Sequence, residues 1–144
     1  MRYLPQIGMA LVLGLSTVSP AQAHGGDAAD RAEIVARPTF AAPIPNIPGK
    51  SLKVVEVTFA PGAVDGPHRH AASAYIYAQV LEGAIRSQVE GEPEHVFHKG
   101  EHWTEQPGAH HVAAGNASKT EPAKLLAVFV VDSDDTVLTT PDAK

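Results

Sequence analysis

The chain of 144 residues contains no cysteine. A disulfide, a thiolate metal site and a thiol nucleophile are all excluded, so the fold must be held by its core alone. Aromatic residues are scarce at 6%, with Trp103 the single tryptophan. No basic run occurs, and 11 Lys and Arg stand against 16 Asp and Glu for a net charge of −5. Such a chain is a poor partner for nucleic acid or anionic lipid, whose recognition begins with clustered Lys and Arg. No stretch reaches the ~20 consecutive apolar residues of a membrane-spanning helix.

What is present begins with MRYLPQIGMALVLGLSTVSPAQA, in which one Arg precedes a short apolar run, a Ser/Thr/Pro stretch and the triplet Ala21-Gln22-Ala23. That order matches a secretory signal peptide cut after Ala23. The expected product is exported, periplasmic or secreted, and has no stable membrane association once residues 1–23 are gone. Cleavage removes one Arg and no acid, taking the net charge from −5 to −6. It would also make His24 the amino terminus, where amine and imidazole together can chelate copper. Residues 24–50 are rich in Gly, Ala and Pro, and ARPTFAAPIPNIPGK carries four prolines. These forbid a helix and favour extended backbone. The segment reads as an arm over a domain, able to add an edge strand.

From residue 51 onward, short β-branched and apolar segments alternate with Gly/Pro turns. Ser51 to Ala60, Ser73 to Leu81, Ala84 to Glu90, His95 to His98, His102 to Glu105, His110 to Ala114 and Ala123 to Val131 all suit strands. None shows a helical period. Residues 51–132 are therefore expected to form one all-β domain, an antiparallel sandwich or barrel. Glu82-Gly83, between two such segments, reads as a two-residue hairpin turn. Residues 133–144 form a polar tail in which TVLTT could pair at an edge.

Two histidine clusters carry the chemistry. In an extended strand His68 and His70 point to one face, roughly 6–7 Å apart at the backbone. Their imidazoles can converge on one metal ion at about 2.0–2.1 Å if a third ligand arrives from another strand. His110 and His111 follow a Pro-Gly turn and point to opposite faces, so only one of them can look inward.

Gly62-AVDGP-His68-Arg-His70 with a later Gly83, and Gly100-EHWTE-Gln106-Pro107-Gly108-AH-His111-VAAG-Asn116, resemble the two motifs of the cupins. Those motifs run Gly-x5-His-x-His-x(3,4)-Glu-x6-Gly and Gly-x5-Pro-x-Gly-x2-His-x3-Asn. The chain looks like a small exported single-domain bacterial cupin of the quercetin-dioxygenase-like type. The resemblance implies a single RmlC-like jelly-roll β-barrel, with His68, His70 and His111 as metal ligands and His110 at a free position. Two departures are local: Gln106 stands where the second motif has its first proline, and Asn116 comes one residue late. The third bears on the chemistry, because the first-motif glutamate is missing. Counting from His70 lands on Ala74 or Tyr75, and counting back from Gly83 lands on Ile76. Tyr75, Gln79, Glu105 and water are the candidates for a fourth ligand, and Glu105 or Tyr75 for a proton acceptor.

Three neutral imidazoles leave the charge of a divalent ion uncompensated and so favour an anionic ligand such as a carboxylate, enolate or phenolate. One divalent transition metal is expected, and nitrogen ligands with open positions suit Fe, Mn, Ni, Co, Cu or Zn alike. His95 and His98 read as surface residues, His102 as a neighbour of Trp103, and Arg86 and Gln88 as facing solvent. A metal-dependent oxygenase-type enzyme for a small anionic or enolic substrate is the leading function. A non-catalytic periplasmic protein binding a metal or small molecule is the alternative; a homodimer is compatible with either.

Overall fold

A computed structural model describes residues 33–143. The expected leader at 1–23 and His24 lie outside the described residues. Among the described residues eleven strands follow one another: β1 (Ile34–Pro43), β2 (Lys50–Phe59), β3 (Val64–Asp65), β4 (His68–His70), β5 (Tyr75–Glu82), β6 (Ala84–Val89), β7 (His95–His98), β8 (His102–Glu105), β9 (His110–Asn116), β10 (Ala123–Asp132) and β11 (Thr139–Pro141). All pairings are antiparallel. A five-stranded sheet runs β1-β2-β10-β5-β8, and a second sheet runs β11-β4-β9-β6-β7 with β3 beside β9. The two face each other as a jelly roll.

Binary patterning explains why the two sheets enclose a core. In β10 the residues Ala123, Leu125, Ala127, Phe129 and Val131 are buried while their neighbours are half-exposed, which is the period-two alternation of a strand with one covered face. β5 repeats it with Ile76, Ala78 and Val80. Ile85 of β6 closes on them from the opposite sheet. Each large side chain buried in this way contributes about 1.5–3 kcal/mol. β1 arises from the proline-rich segment and pairs along β2, with a register shift between Pro38 and Phe40 where the ladder passes a proline.

The hairpin expected at Glu82-Gly83 does not form. β5 pairs with β10 and β8, whereas β6 pairs with β9 and β7. Gly83 is instead the corner at which the chain leaves one sheet for the other. Its φ is 67°, and a Cβ there would stand 2.6 Å from the Pro122 carbonyl oxygen. A turn glycine looks the same in sequence whether the next strand pairs with the last or crosses to the facing sheet; only the later β9 and β10 decide it. At the other end the polar tail pairs through β11 with β4.

Candidate metal centre

The site is assembled on the short β4 and its neighbour β9. β4 lies between β9 and β11, and its alternation sends His68 and His70 inward and Arg69 outward. His68 faces His111 directly across the β4–β9 ladder. The turn Gln106 to Ala109 aligns the two strands: Ala109 N donates to Gln106 O at 3.0 Å, with Pro107 second and Gly108 third at φ 72°, the arrangement of a type II turn. Ala109 O then accepts from His70 N at 3.0 Å. Of the two adjacent histidines, His111 is buried. His110 points to the outer face, where its Nε2 meets Asp142 at 2.8 Å.

The three imidazoles converge. One ring nitrogen from each of His68, His70 and His111 lies within 4.8 Å of the others, and this group could hold a metal ion. Each ring is held from behind. His68 Nδ1 donates to Gly66 O at 2.9 Å, which leaves Nε2 as the free acceptor. His70 Nδ1 faces Leu138 O at 3.4 Å. His111 Nε2 pairs with the Ser87 hydroxyl at 2.8 Å, and its Nδ1 turns toward Glu105.

Glu105 joins them. It is 3% exposed, with Oε1 accepting from the Trp103 indole N–H at 2.9 Å. Its Oε1 is 3.5 Å from His111 Nδ1, and its Oε2 is 3.0 Å from His70 Nε2. The latter is an ion-pair distance without hydrogen-bond alignment, so Oε2 is buried with no hydrogen-bond partner. Burial pushes the Glu105 carboxyl upward, but His70, His111 and the Trp103 N–H outweigh it and hold the pKa below the usual carboxylate value. Burial lowers the pKa of His111; Glu105 opposes this, and the neighbouring His68 and His70 reinforce it. At neutral pH the centre offers an ionised carboxylate beside a neutral His111. An orphaned, buried carboxylate oxygen among three imidazoles fits a divalent cation.

The place of Glu105 accounts for the missing first-motif acid. Ile76 stands where the count back from Gly83 falls, and Glu105 is its cross-strand partner. Both side chains point into the barrel. The carboxylate thus arrives from β8 at the sheet position that β5 leaves to an isoleucine.

Tyr75 and Gln79 do not reach the site. Tyr75 is 41% exposed, and both lie on the outer face of β5, out of phase with Ile76 and Ala78. Among the other histidines, His95, His98 and His102 are exposed. His102 stacks on Tyr77 at 5.2 Å rather than on Trp103, which stacks on Phe97 at 4.6 Å. Arg86 and Gln88 point outward to Glu94 and Glu92 O. Asn116 is buried and joins three chain segments, donating to Ala60 O at 3.1 Å and Glu121 O at 2.7 Å while accepting from Ser118 N at 2.8 Å. Sequence reasoning passed over Asp65, Ser87 and Leu138. The Asp65 carboxylate is 3.6 Å from His68 Nδ1. Ser87 could have been found as the inward residue between Arg86 and Gln88, whereas a backbone carbonyl such as that of Leu138 leaves no sequence signal.

These groups occupy one end of a cavity of about 420 Å³. Its other walls are apolar, drawn from the inward faces of β1, β2, β5 and β10, with Trp103 beside Glu105 and with Thr136, Leu138 and Thr139 from the C-terminal segment. Such a chamber desolvates a ligand's hydrocarbon part while its polar end meets the imidazoles.

Comparison with known proteins gives a consistent picture. A family model described as "Cupin domain" matches residues 55–129. No curated protein matches. Among solved structures, the chain is similar to KdgF from Halomonas sp., at 23% identity and a TM-score of 0.56, over 72% of this chain and 84% of that one. It is also similar to an oxalate oxidase in complex with the substrate analogue glycolate, at 25% identity and a TM-score of 0.50, over 56% of this chain. A structure described under DMSP lyases is similar at 18% identity and a TM-score of 0.54, over 64% of this chain. The chain spans only 42% and 44% of the oxalate oxidase and lyase chains respectively.

Proposed function

The chain belongs to the cupin family, and on that premise we propose that it is an exported metal-dependent enzyme of oxygenase type acting on a small anionic or enolic organic substrate. The observation that carries this reading is the buried Glu105 carboxylate, with one oxygen unpartnered, beside three converging histidines at the polar end of an apolar chamber. His68, His70, His111 and Glu105 are the residues that would hold the ion. When bound, a divalent transition metal there supplies a Lewis acid for an anionic oxygen and, if redox-active, a centre for reaction with O2. Export rests on the leader pattern of residues 1–23.

The chain's own residues define the rest. Gly66 O, Leu138 O and the Ser87 hydroxyl fix the three rings. Trp103 keeps Oε1 of Glu105 engaged, leaving Oε2 as the oxygen that would face the ion. The apolar walls exclude water and receive the body of the substrate. The oxalate oxidase bound to glycolate supports a small carboxylate or hydroxy acid as the class to try. Catechols, flavonols and 2-oxo acids extend it, since each offers two adjacent oxygens. A non-catalytic binding protein is favoured by one observation, that Glu105 and the half-exposed Asp65 are the only acids on the cavity wall among the described residues.

The deciding experiment loads the protein in turn with Fe, Mn, Ni and Co and follows O2 uptake with glycolate, catechol, a flavonol and a 2-oxo acid. At least one pairing is expected to outpace the free metal and to lose that rate in His111→Ala. Ligand binding without any rate above free metal would leave the binding protein as the function.

A further inference from the structure

The C-terminal segment is polar in sequence, yet it runs beside the histidine strand for that strand's whole length. It leaves β10 through a firm anchor. Ser133 N donates to Gly49 O at 2.9 Å, the Ser133 and Ser51 hydroxyls meet at 2.8 Å, and Asp135 takes the Ser73 hydroxyl on its carboxylate and Lys53 Nζ on its carbonyl. It then crosses from one sheet to the other over the cavity, with Val137 62% exposed and Thr136 and Leu138 on the wall. On the far side Leu138 O accepts from Ala71 N at 3.1 Å, β11 pairs Thr139 with His70 and Pro141 with His68, and Asp142 closes on Pro67 O and His110.

We propose that residues 136–139 are a working part of the metal centre, with the Leu138 carbonyl and Thr139 hydroxyl holding His70 Nδ1 and the Leu138 side chain setting the size of ligand that the cavity admits. This rests on the metal reading above and adds positioning and specificity roles to it. Leu138 O and Thr139 Oγ1 both stand 3.4 Å from His70 Nδ1. An imidazole whose Nδ1–H points at a carbonyl can offer Nε2 to an ion, here on the side that Glu105 Oε2 shares. The dependence is unequal among the three rings. His68 is supported by Gly66 and His111 by Ser87, both outside the segment. Displacing the segment therefore removes the ring support of one ligand and leaves the ring hydrogen bonds of the other two. Leu138 also packs against the buried core, so it forms a fixed wall rather than a loose cover.

The test uses cobalt as the probe. In the full-length cobalt protein each ring N–H should give an exchange-protected, hyperfine-shifted proton resonance. A chain ending at Asp135 keeps the anchor and lacks the crossing together with β11 and Asp142. It should bind cobalt at least about tenfold more weakly and lose the His70 N–H resonance while retaining the other two. Equal affinity and three resonances in both proteins would overturn the inference while leaving the metal reading intact. A full-length protein that takes up no cobalt overturns both. Should the shortened chain fail to fold, Thr139→Val decides: faster solvent exchange of the His70 N–H alone supports the role, and unchanged exchange overturns it. Leu138→Ala, which keeps the carbonyl, should retain cobalt affinity and shift the preference for tert-butylcatechol over catechol by about tenfold; an unshifted preference overturns the size role.

Discussion

The two sheets of this barrel are built on opposite principles. The sheet of β1, β2, β5, β8 and β10 has three strands of ten residues and regular apolar alternation along β5 and β10, and its inward face supplies most of the core. The facing sheet holds β3, β4 and β11, of two or three residues each, and carries all three converging histidines. The first is held by area buried; the second by short ladders, turns and side-chain hydrogen bonds. Stability and chemistry are therefore divided between the walls, and Glu105, a polar residue on the edge strand of the apolar sheet, is where they meet.

Substitutions on the two walls should separate these roles. Phe129→Ala, in the long sheet beside the His70 ring, is expected to destabilise the apoprotein by about 3–5 kcal/mol in urea titration. His68→Ala should leave the apoprotein folded yet abolish tight metal binding, as should His70→Ala and His111→Ala, while His95→Ala, His98→Ala and His110→Ala retain it. Comparable unfolding by Phe129→Ala and His68→Ala would mean that the division does not exist.

Glu105→Gln sharpens the comparison at the junction. It should weaken metal affinity at least about tenfold, read by competition with a chelator. In the apoprotein at pH 8 the same change removes a buried charge with an unpartnered oxygen and presents an amide to His70 Nε2. Because the ionised carboxylate contributes stability above its lowered pKa, the expected result is a small fall in melting temperature beside the large loss of metal affinity. A loss of several degrees would assign Glu105 to the fold instead of the site.

The smallest effect is that of pH on the apoprotein. His111 is held below its ordinary value of 6.5. As pH falls through that value the unfolded chain takes up a proton that the folded site refuses, and stability declines. Glu105, held below 4.5, contributes stability that is present above that value and lost only in more acidic solution. Melting temperature should thus fall gently from pH 7 to pH 5 and more steeply below. His111→Ala should flatten the first part, and an unaltered slope in that variant would remove His111 as its source.

The strands themselves were legible in the sequence because alternation and Gly/Pro punctuation are local properties. Ala123 to Val131 reads as a strand, and β10 spans Ala123–Asp132. His68, His70, His111 and Glu105 were singled out from spacing and motif, and the fold brings the four together. The errors concern what a local signal does not encode. Glu82-Gly83 carries the signature of a turn, but the partner of the following strand is chosen by residues some thirty positions away. Tyr75 has the spacing of a ligand, yet the phase of β5 is set by burying Ile76 and Ala78, which sends the tyrosine outward.

The opposition of Ile76 and Glu105 across β5 and β8 has a consequence for how such sites are sought. In a sheet an address has two coordinates, strand and rung, and an alignment preserves only distance along the chain. A donor can migrate to the adjoining strand on the same rung and keep its oxygen in place, while every linear pattern scores it as lost. Scanning cross-strand partners of vacated motif positions would recover such displaced donors. The exchange Ile76→Glu with Glu105→Ile would ask whether the two positions are equivalent seats for one carboxylate.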